Sequence, residues 1–254
     1  MSSLRDKRVP PGQVMTASTL ETMPRSRYLL LVLALLLAAL FVRLGFWQLS
    51  RLHERRAANR EAALARAGAI IDLNRGGTGE TARSNHRVVV RGEYDRTHEV
   101  VLRGHVYREL PGVQVVTPLR IAGSDSAVMV NRGFFPSPDA TFADTDSLDE
   151  PGQVAVRGVA FAMPWSADSG GALTSNGKET WRRLDLAALR ARIPYPLMDV
   201  YILQSPDSAL PLYPRRLEPL PLDDGPHLSY AIQWFAFATI AVSGGLIFLF
   251  RKGA

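Results

Sequence analysis

Hydrophobic residues along this chain come in two textures: unbroken at both ends and alternating in between. Near the N-terminus YLLLVLALLLAALFVRLGFWQL (Tyr28 to Leu49) is apolar at almost every position and interrupted by Arg43, and LSYAIQWFAFATIAVSGGLIFLF (Leu228 to Phe250) repeats the texture near the C-terminus. A bilayer crossing needs about 20 mostly apolar residues, so the pattern predicts transmembrane helices over 28–49 and 227–250. The first run is too long for a cleaved signal peptide and no small-residue cleavage site follows it. Between the two, HRVVVRGEY, EVVLRGHVY, GVQVVTPLRI, AVMVNRGFF and QVAVRGVAF alternate apolar with polar positions and are bounded by turn residues. That period of two is the mark of half-buried strands, and it predicts most of one antiparallel sheet or partly closed barrel. MDVYILQ (Met198 to Gln204) predicts a sixth strand. The period turns helical in LDLAALRARIPYP, where Asp185 is a ready N-cap, Leu186, Leu189 and Ile193 share a face, and Pro194 stops the helix. One helix is therefore expected against the sheet.

The flanks complete the plan. Residues 1–27 carry Pro, Ser, Thr and mixed charge without periodicity and predict a disordered cytoplasmic tail. After the first apolar run, RLHERRAANREAALARAGA (Arg51 to Ala69) is rich in helix formers, so the helix is expected to continue as a polar one. PLYPRRLEPLPLDDGP reads as a stiff extended linker back to the membrane. Arg25 and Arg27 precede the first span and Arg251 and Lys252 follow the second, which favours cytoplasmic termini, although Arg51, Arg55, Arg56 and Arg60 argue the other way. The expected fold is a membrane protein in which two transmembrane helices flank a mostly antiparallel, β-rich α+β extra-cytoplasmic domain at 50–226, with a short cytoplasmic tail at 251–254.

Composition narrows the chemistry. A formal charge of +6 and a pI near 10 come from arginines spread along the chain rather than from a basic block interleaved with aromatics, so no nucleic-acid partner is expected. The chain has no cysteine, which removes disulfides, thiolate metal sites and thiol redox chemistry. It carries no G-x-S-x-G, P-loop, H-E-x-x-H or G-x-G-x-x-G motif, and its methionines are scattered rather than clustered for copper. The pairs Gly76-Gly77 and Gly170-Gly171 are loop chemistry. His98 and His105 would lie on opposite faces of one continuous strand, so a shared metal would need a bend such as Gly104 could supply. His53 and His86 read as surface residues. In VNRGFFP, Asn131, Arg132 and Gly133 predict a structured turn at a strand end, with Arg132 held by a carboxylate or carbonyl.

Polarity is expensive inside the apolar runs. Arg43 and Trp47, four residues apart, share a helix face; the arginine either snorkels to the interface or serves a function with a partner. On the second helix His227, Tyr230 and Trp234 form one stripe, continued by the small residues Ala238, Ala241 and Gly245 that admit a second helix or a flat ligand. Two readings of His227 stand side by side. It is an interfacial histidine bonded to backbone or headgroup, or an axial ligand to a haem iron with Arg51 and Arg55 near enough in level to pair with propionates.

Three stretches together resemble the surfeit locus protein 1 family of cytochrome c oxidase assembly factors: GFWQLSRLHERRA (Gly45 to Ala57), VNRGFFP, and HLSYAIQWFAFA (His227 to Ala238). Their order and the two-span plan extend the resemblance over roughly Tyr28 to Lys252. It implies a non-enzymatic assembly factor of the bacterial inner membrane that binds haem a, as cofactor or cargo, and assists its insertion into oxidase subunit 1 after receiving it from haem a synthase. His227 would be the axial iron ligand, Tyr230 and Trp234 would wall the porphyrin, Arg43 or Arg51 would neutralise propionates, and Trp47 would join the binding face. Gly225 and Pro226 stand where members often carry an Asn pair. The alternative is a haem-free membrane scaffold that stabilises an oxidase assembly intermediate.

Overall fold

In the computed structural model, which describes residues 25–75, 84–165, 172–175 and 178–250, the first apolar run and the polar stretch after it form one helix, α1 (Arg25–Ala67). Leu, Ala and Arg, all good helix formers, dominate it, and it holds no proline and one glycine, Gly45. The amide of Gly68 closes the last turn on Leu64. Most of the expected tail, both glycine pairs and Arg251 with Lys252 lie outside the described residues. The described chain divides into two compact units, one made of the residues up to Leu52 with those from Pro226 onward, the other of His53–Gly225.

The second unit is built on strands. β1 (Ile71–Asp72), β2 (Arg87–Tyr94), β3 (Val100–Tyr107), β4 (Leu110–Ile121), β5 (Ala127–Pro136), β6 (Gln153–Ala162), β7 (Leu173–Ser175), β8 (Lys178–Trp181) and β9 (Leu197–Gln204) join in the order β1-β2-β6-β9-β5-β4-β3-β8-β7. A further pairing of β2 with β4, Gly92 to Ile121 through Tyr94 to Leu119, closes β2, β6, β9, β5 and β4 into a five-stranded barrel. It is mixed, because β9 runs parallel to β5 and antiparallel to β6. The sixth expected strand thus enters the ring, whereas β3 lies outside it. β4 is long enough to serve both: residues 110–116 pair with β3 and residues 119–121 with β2 along the same edge.

Alternation fills the barrel. Val88, Val90 and Tyr94 from β2, Leu119 and Ile121 from β4, Val128 and Val130 from β5, and Val200 and Ile202 from β9 point inward and are buried. The gaps in that series are glycines that let strands close: a side chain on Gly92 would meet the Arg120 carbonyl at 2.0 Å, and one on Gly158 the Leu203 carbonyl at 2.2 Å. Each fully buried Val or Leu contributes about 1.5–3 kcal/mol, against about 0–1 kcal/mol for an exposed ion pair, so this interior dominates the unit's stability. A second core lies outside the ring, where Leu186, Leu189 and Ile193 pack on Val116, Met129 and Trp181. Those residues belong to α2 (Leu186–Arg192) and its end, with Asp185 accepting from the Ala188 amide as N-cap; the one-helix-on-sheet expectation holds.

Two expectations change in detail. VNRGFFP is not a turn at a strand end: β5 runs through it to Pro136, and the register with β4 jumps from Val116–Asn131 to Val115–Gly133, leaving Arg132 as the extra residue of a bulge. The segment after β9 is not simply a linker, because Arg215 bridges to Phe134 and Arg216 is buried. His98 precedes β3 in a short 3₁₀ turn, and the register of β3 shifts between Leu102 and His105, where Gly104 has φ +79°.

Candidate functional site

α3 (His227–Phe250) belongs to the unit that contains the apolar part of α1. Three contacts fix how these helices meet: Gln48 with His227, Gly45 with Phe235 and Ala34 with Gly245. One index falls as the other rises, so the helices are antiparallel. The approach is close because it is built from small residues; a side chain on Gly45 would lie 2.7 Å from the Phe235 ring, and Ala38, Ala231 and Ala238 are buried. Phe41 stacks on Trp234 at 5.6 Å and Phe46 meets Phe235 edge-on at 5.4 Å. The small-residue stripe expected to admit a helix or a flat ligand therefore admits a helix.

At the end of this contact, His227 Nδ1 lies 2.9 Å from Gln48 Oε1. An amide oxygen only accepts, so Nδ1 carries the proton, and in the neutral ring Nε2 presents its lone pair. His227 is half-buried, whereas Tyr230 is 46% and Trp47 53% exposed. Arg51 and Tyr230 each stand three residues beyond a member of the bonded pair, about 60° round their helices in the same sense. Between antiparallel helices the same sense falls on the same side, so Arg51 and Tyr230 flank the pair together. The Arg51 guanidinium stands 6.0 Å from the centre of the Trp47 ring. Arg43 is exposed and about 140° round α1 from Gln48, on the face turned from α3. Of the six residues singled out in the sequence, the structure gathers His227, Tyr230, Arg51 and Trp47 on or beside one flank, turns Trp234 into the helix contact and leaves Arg43 apart. Gln48 had no assigned role in the sequence, although a polar residue one turn from Gly45 and one from buried Leu52 marks the contact face.

The barrel unit holds a separate polar centre. The bulge aims Arg132 inward, where Nη2 donates to Glu150 Oε1 at 2.8 Å and to the Leu148 carbonyl, and Nη1 lies 3.4 Å from Glu99 Oε2. The expected carboxylate and carbonyl partners are both present. Arg216 donates to the same Glu150 oxygen at 2.6 Å and through Nε to Gln204, Thr117 donates to Glu99, and the Arg132 guanidinium sits 4.8 Å over the Tyr94 ring. Two arginines and two glutamates balance, as burial requires. Burial disfavours ionisation of Glu150, but Arg132 and Arg216 outweigh it and hold its pKa below the usual value; burial drives the Tyr94 hydroxyl upward. Gly133, at φ +125° with its α-carbon against the Arg215 carbonyl, and Asn131, accepting from the Gly133 amide, hold the bulge. A cavity of about 450 Å³ lined in part by Arg96, His98, Trp181 and Arg192 has its charges already paired, Arg96 with Asp149 and Arg192 with Glu179. His98 Nδ1 donates to Asp95, to which Tyr195 also donates. Among the described residues no cluster of three metal-ligating side chains occurs.

Two long apolar helices at the ends of a chain, flanking a β-barrel domain whose buried arginines and glutamates pair with one another, define a protein with two candidate membrane spans. Comparison with known proteins narrows the class. A model of the SURF1 family matches residues 35–239, and the chain belongs to that family. A SURF1-like protein of Monosiga brevicollis is 28% identical over 228 residues, 83% of each chain. SURF1-like proteins of Rickettsia bellii and Rickettsia felis are each 26% identical, over 80% and 82% of this chain and 83% and 91% of their own. Membership implies a non-catalytic oxidase assembly factor.

Proposed function

We propose that the chain is a haem a-binding assembly factor of the bacterial inner membrane, with both termini cytoplasmic, that takes haem a from its synthase and presents it to cytochrome c oxidase subunit 1. The observation that carries this reading is the hydrogen bond from His227 Nδ1 to Gln48, which leaves Nε2 as the coordinating nitrogen. The residues present fit a porphyrin on the flank of the helix pair rather than between the helices. His227 would supply a coordinating nitrogen, Tyr230 and Trp47 offer exposed aromatic surface, and Arg51 would supply a cation for a propionate. Trp234, fixed against Phe41, holds the wall behind them. Arg43 lies too far round α1 to share the same propionate and serves as a snorkelling anchor or as a contact to the partner. Bound haem a would supply a redox-active iron and two carboxylates; the chain would bind, orient and release it.

The test is the visible spectrum of the protein purified from a haem a-producing host. Haem is expected to co-purify with the wild type, and His227→Ala is expected to abolish its absorbance. An unchanged spectrum in His227→Ala would remove the residue from the ligand role. The close packing at Ala231 and Ala238 favours the second reading, a haem-free scaffold that docks an oxidase intermediate through its exposed aromatic surface. That reading predicts capture of subunit 1 with no haem in either protein.

A further inference from the structure

We infer that Gln48 is the positioning residue that fixes the tautomer and ring orientation of His227, so that Nε2 is a deprotonated ligand before any iron arrives. This inference rests on the reading of His227 as an iron ligand, but its geometry stands in the chain's own residues. Imidazole has two nitrogens, and the one that can coordinate is decided by what the other one bonds. His227 Nδ1 and Gln48 Oε1 are 2.9 Å apart, and the two residues are 179 positions apart in sequence. A pair so distant in the chain needs a rigid support to be held at hydrogen-bond range.

Close packing on either side of Gln48 supplies that support. One turn before it, Gly45 meets the Phe235 ring with no room for a β-carbon, and one turn after it Leu52 is 2% exposed. The edge-on contact of Phe46 with Phe235 and the stack of Phe41 on Trp234 lock the same register. Sliding or rotating either helix by one residue would break these contacts together. The amide therefore meets His227 in one orientation. Glutamine is suited to the task, because its neutral oxygen accepts the Nδ1 proton without adding a full charge at the edge of an apolar helix. A glutamate there would accept more strongly and push the imidazole toward imidazolate, raising its basicity as a ligand; a leucine would leave the ring free to turn and to carry its proton on Nε2.

The experiment uses the full-length protein in detergent micelles with ¹⁵N-labelled histidine and has two readouts. In the haem-free protein at pH 8, ¹⁵N–¹H correlations of His227, assigned by their loss in His227→Asn, are expected to report the Nδ1–H form, and Gln48→Leu to shift the population to Nε2–H. An Nε2–H form in the wild type, or a tautomer unmoved by Gln48→Leu, would overturn the inference. In the haem-loaded protein, Gln48→Leu is expected to weaken retention about 10- to 100-fold, with Gln48→Glu restoring it and lowering the reduction potential. Retention lost equally in both variants would assign Gln48 a packing role only and overturn the inference. Failure of the ligand reading itself is separate: it would appear as haem retained by His227→Ala while the wild-type tautomer stayed Nδ1–H.

Discussion

Glu150 accepts hydrogen bonds from two arginines that are themselves almost wholly buried, so its charge is an obligation of the fold rather than a surface ornament. Removing one member of such a group leaves the others unpaired in low dielectric, which costs about 3–5 kcal/mol. Glu150→Gln is therefore expected to lower the unfolding free energy of the barrel unit at neutral pH by that amount, read from its urea transition. The folded pKa of Glu150 lies below its ordinary 4.5, the arginines outweighing the burial that opposes them. Its contribution is accordingly complete above that ordinary value and is lost as pH falls through the lower folded pKa. Wild type should lose stability on acidification in that window, and Glu150→Gln should show a flatter dependence; parallel curves would place the acid sensitivity elsewhere. Sequence alone located Arg132 and the kind of partner it needs, but not Glu99 or Glu150, because a charge pair across strands leaves no periodic trace. Arg216 was hidden for a different reason. It sits in a proline-rich stretch whose composition reads as linker, and only its return to β5 beside Phe134 makes it internal.

At the scale of elements, alternation was enough to place six strands and one capped helix, because each strand turns one face to a core and the other away. β1, β7 and β8 are two to four residues long and sit at the ends of the strand order, too short for a period to emerge. Closure was also illegible, since it depends on which edges meet. Its residue-level mark is Gly92, the β2 position that faces Ile121 across the closing seam. A β-carbon there would sit 2.0 Å from the Arg120 carbonyl, which backbone cannot yield without moving the strand. Gly92→Val is thus expected to open the β2–β4 seam while leaving β2–β6 paired. Amide exchange in the full chain should speed up at 92–94 and 119–121 and remain slow along β6. Unaltered protection at the seam would mean that closure does not depend on the glycine. The helix pair follows the same logic: small residues were readable as a stripe, but whether helix or ligand fills it was decided by α1.

At the scale of the whole molecule, the sidedness of the chain decides whether the His227 flank can meet a haem delivered outside the cytoplasm. Arginine counts pull both ways, with Arg25 and Arg27 before the first apolar run and Arg51, Arg55 and Arg56 after it. Of the latter group, Arg56 pairs with Asp224 at 2.8 Å and Arg55 donates to the Asp223 carbonyl, to which Asn59 also donates. The proposed extra-cytoplasmic barrel and cytoplasmic ends follow the charges on the outer flanks, Arg25 and Arg27 before the first run and Arg251 and Lys252 after the second. Because the chain has no cysteine, a single introduced thiol reports its side without background. Val106, 70% exposed on β3, and Ser3 in the N-terminal tail are suitable positions. Val106→Cys is expected to react with a membrane-impermeant maleimide in intact spheroplasts, and Ser3→Cys only after permeabilisation. The opposite pattern would put the barrel and the Gln48–His227 pair on the cytoplasmic side, and the proposed hand-over of haem a to subunit 1 would have to start from that side of the membrane.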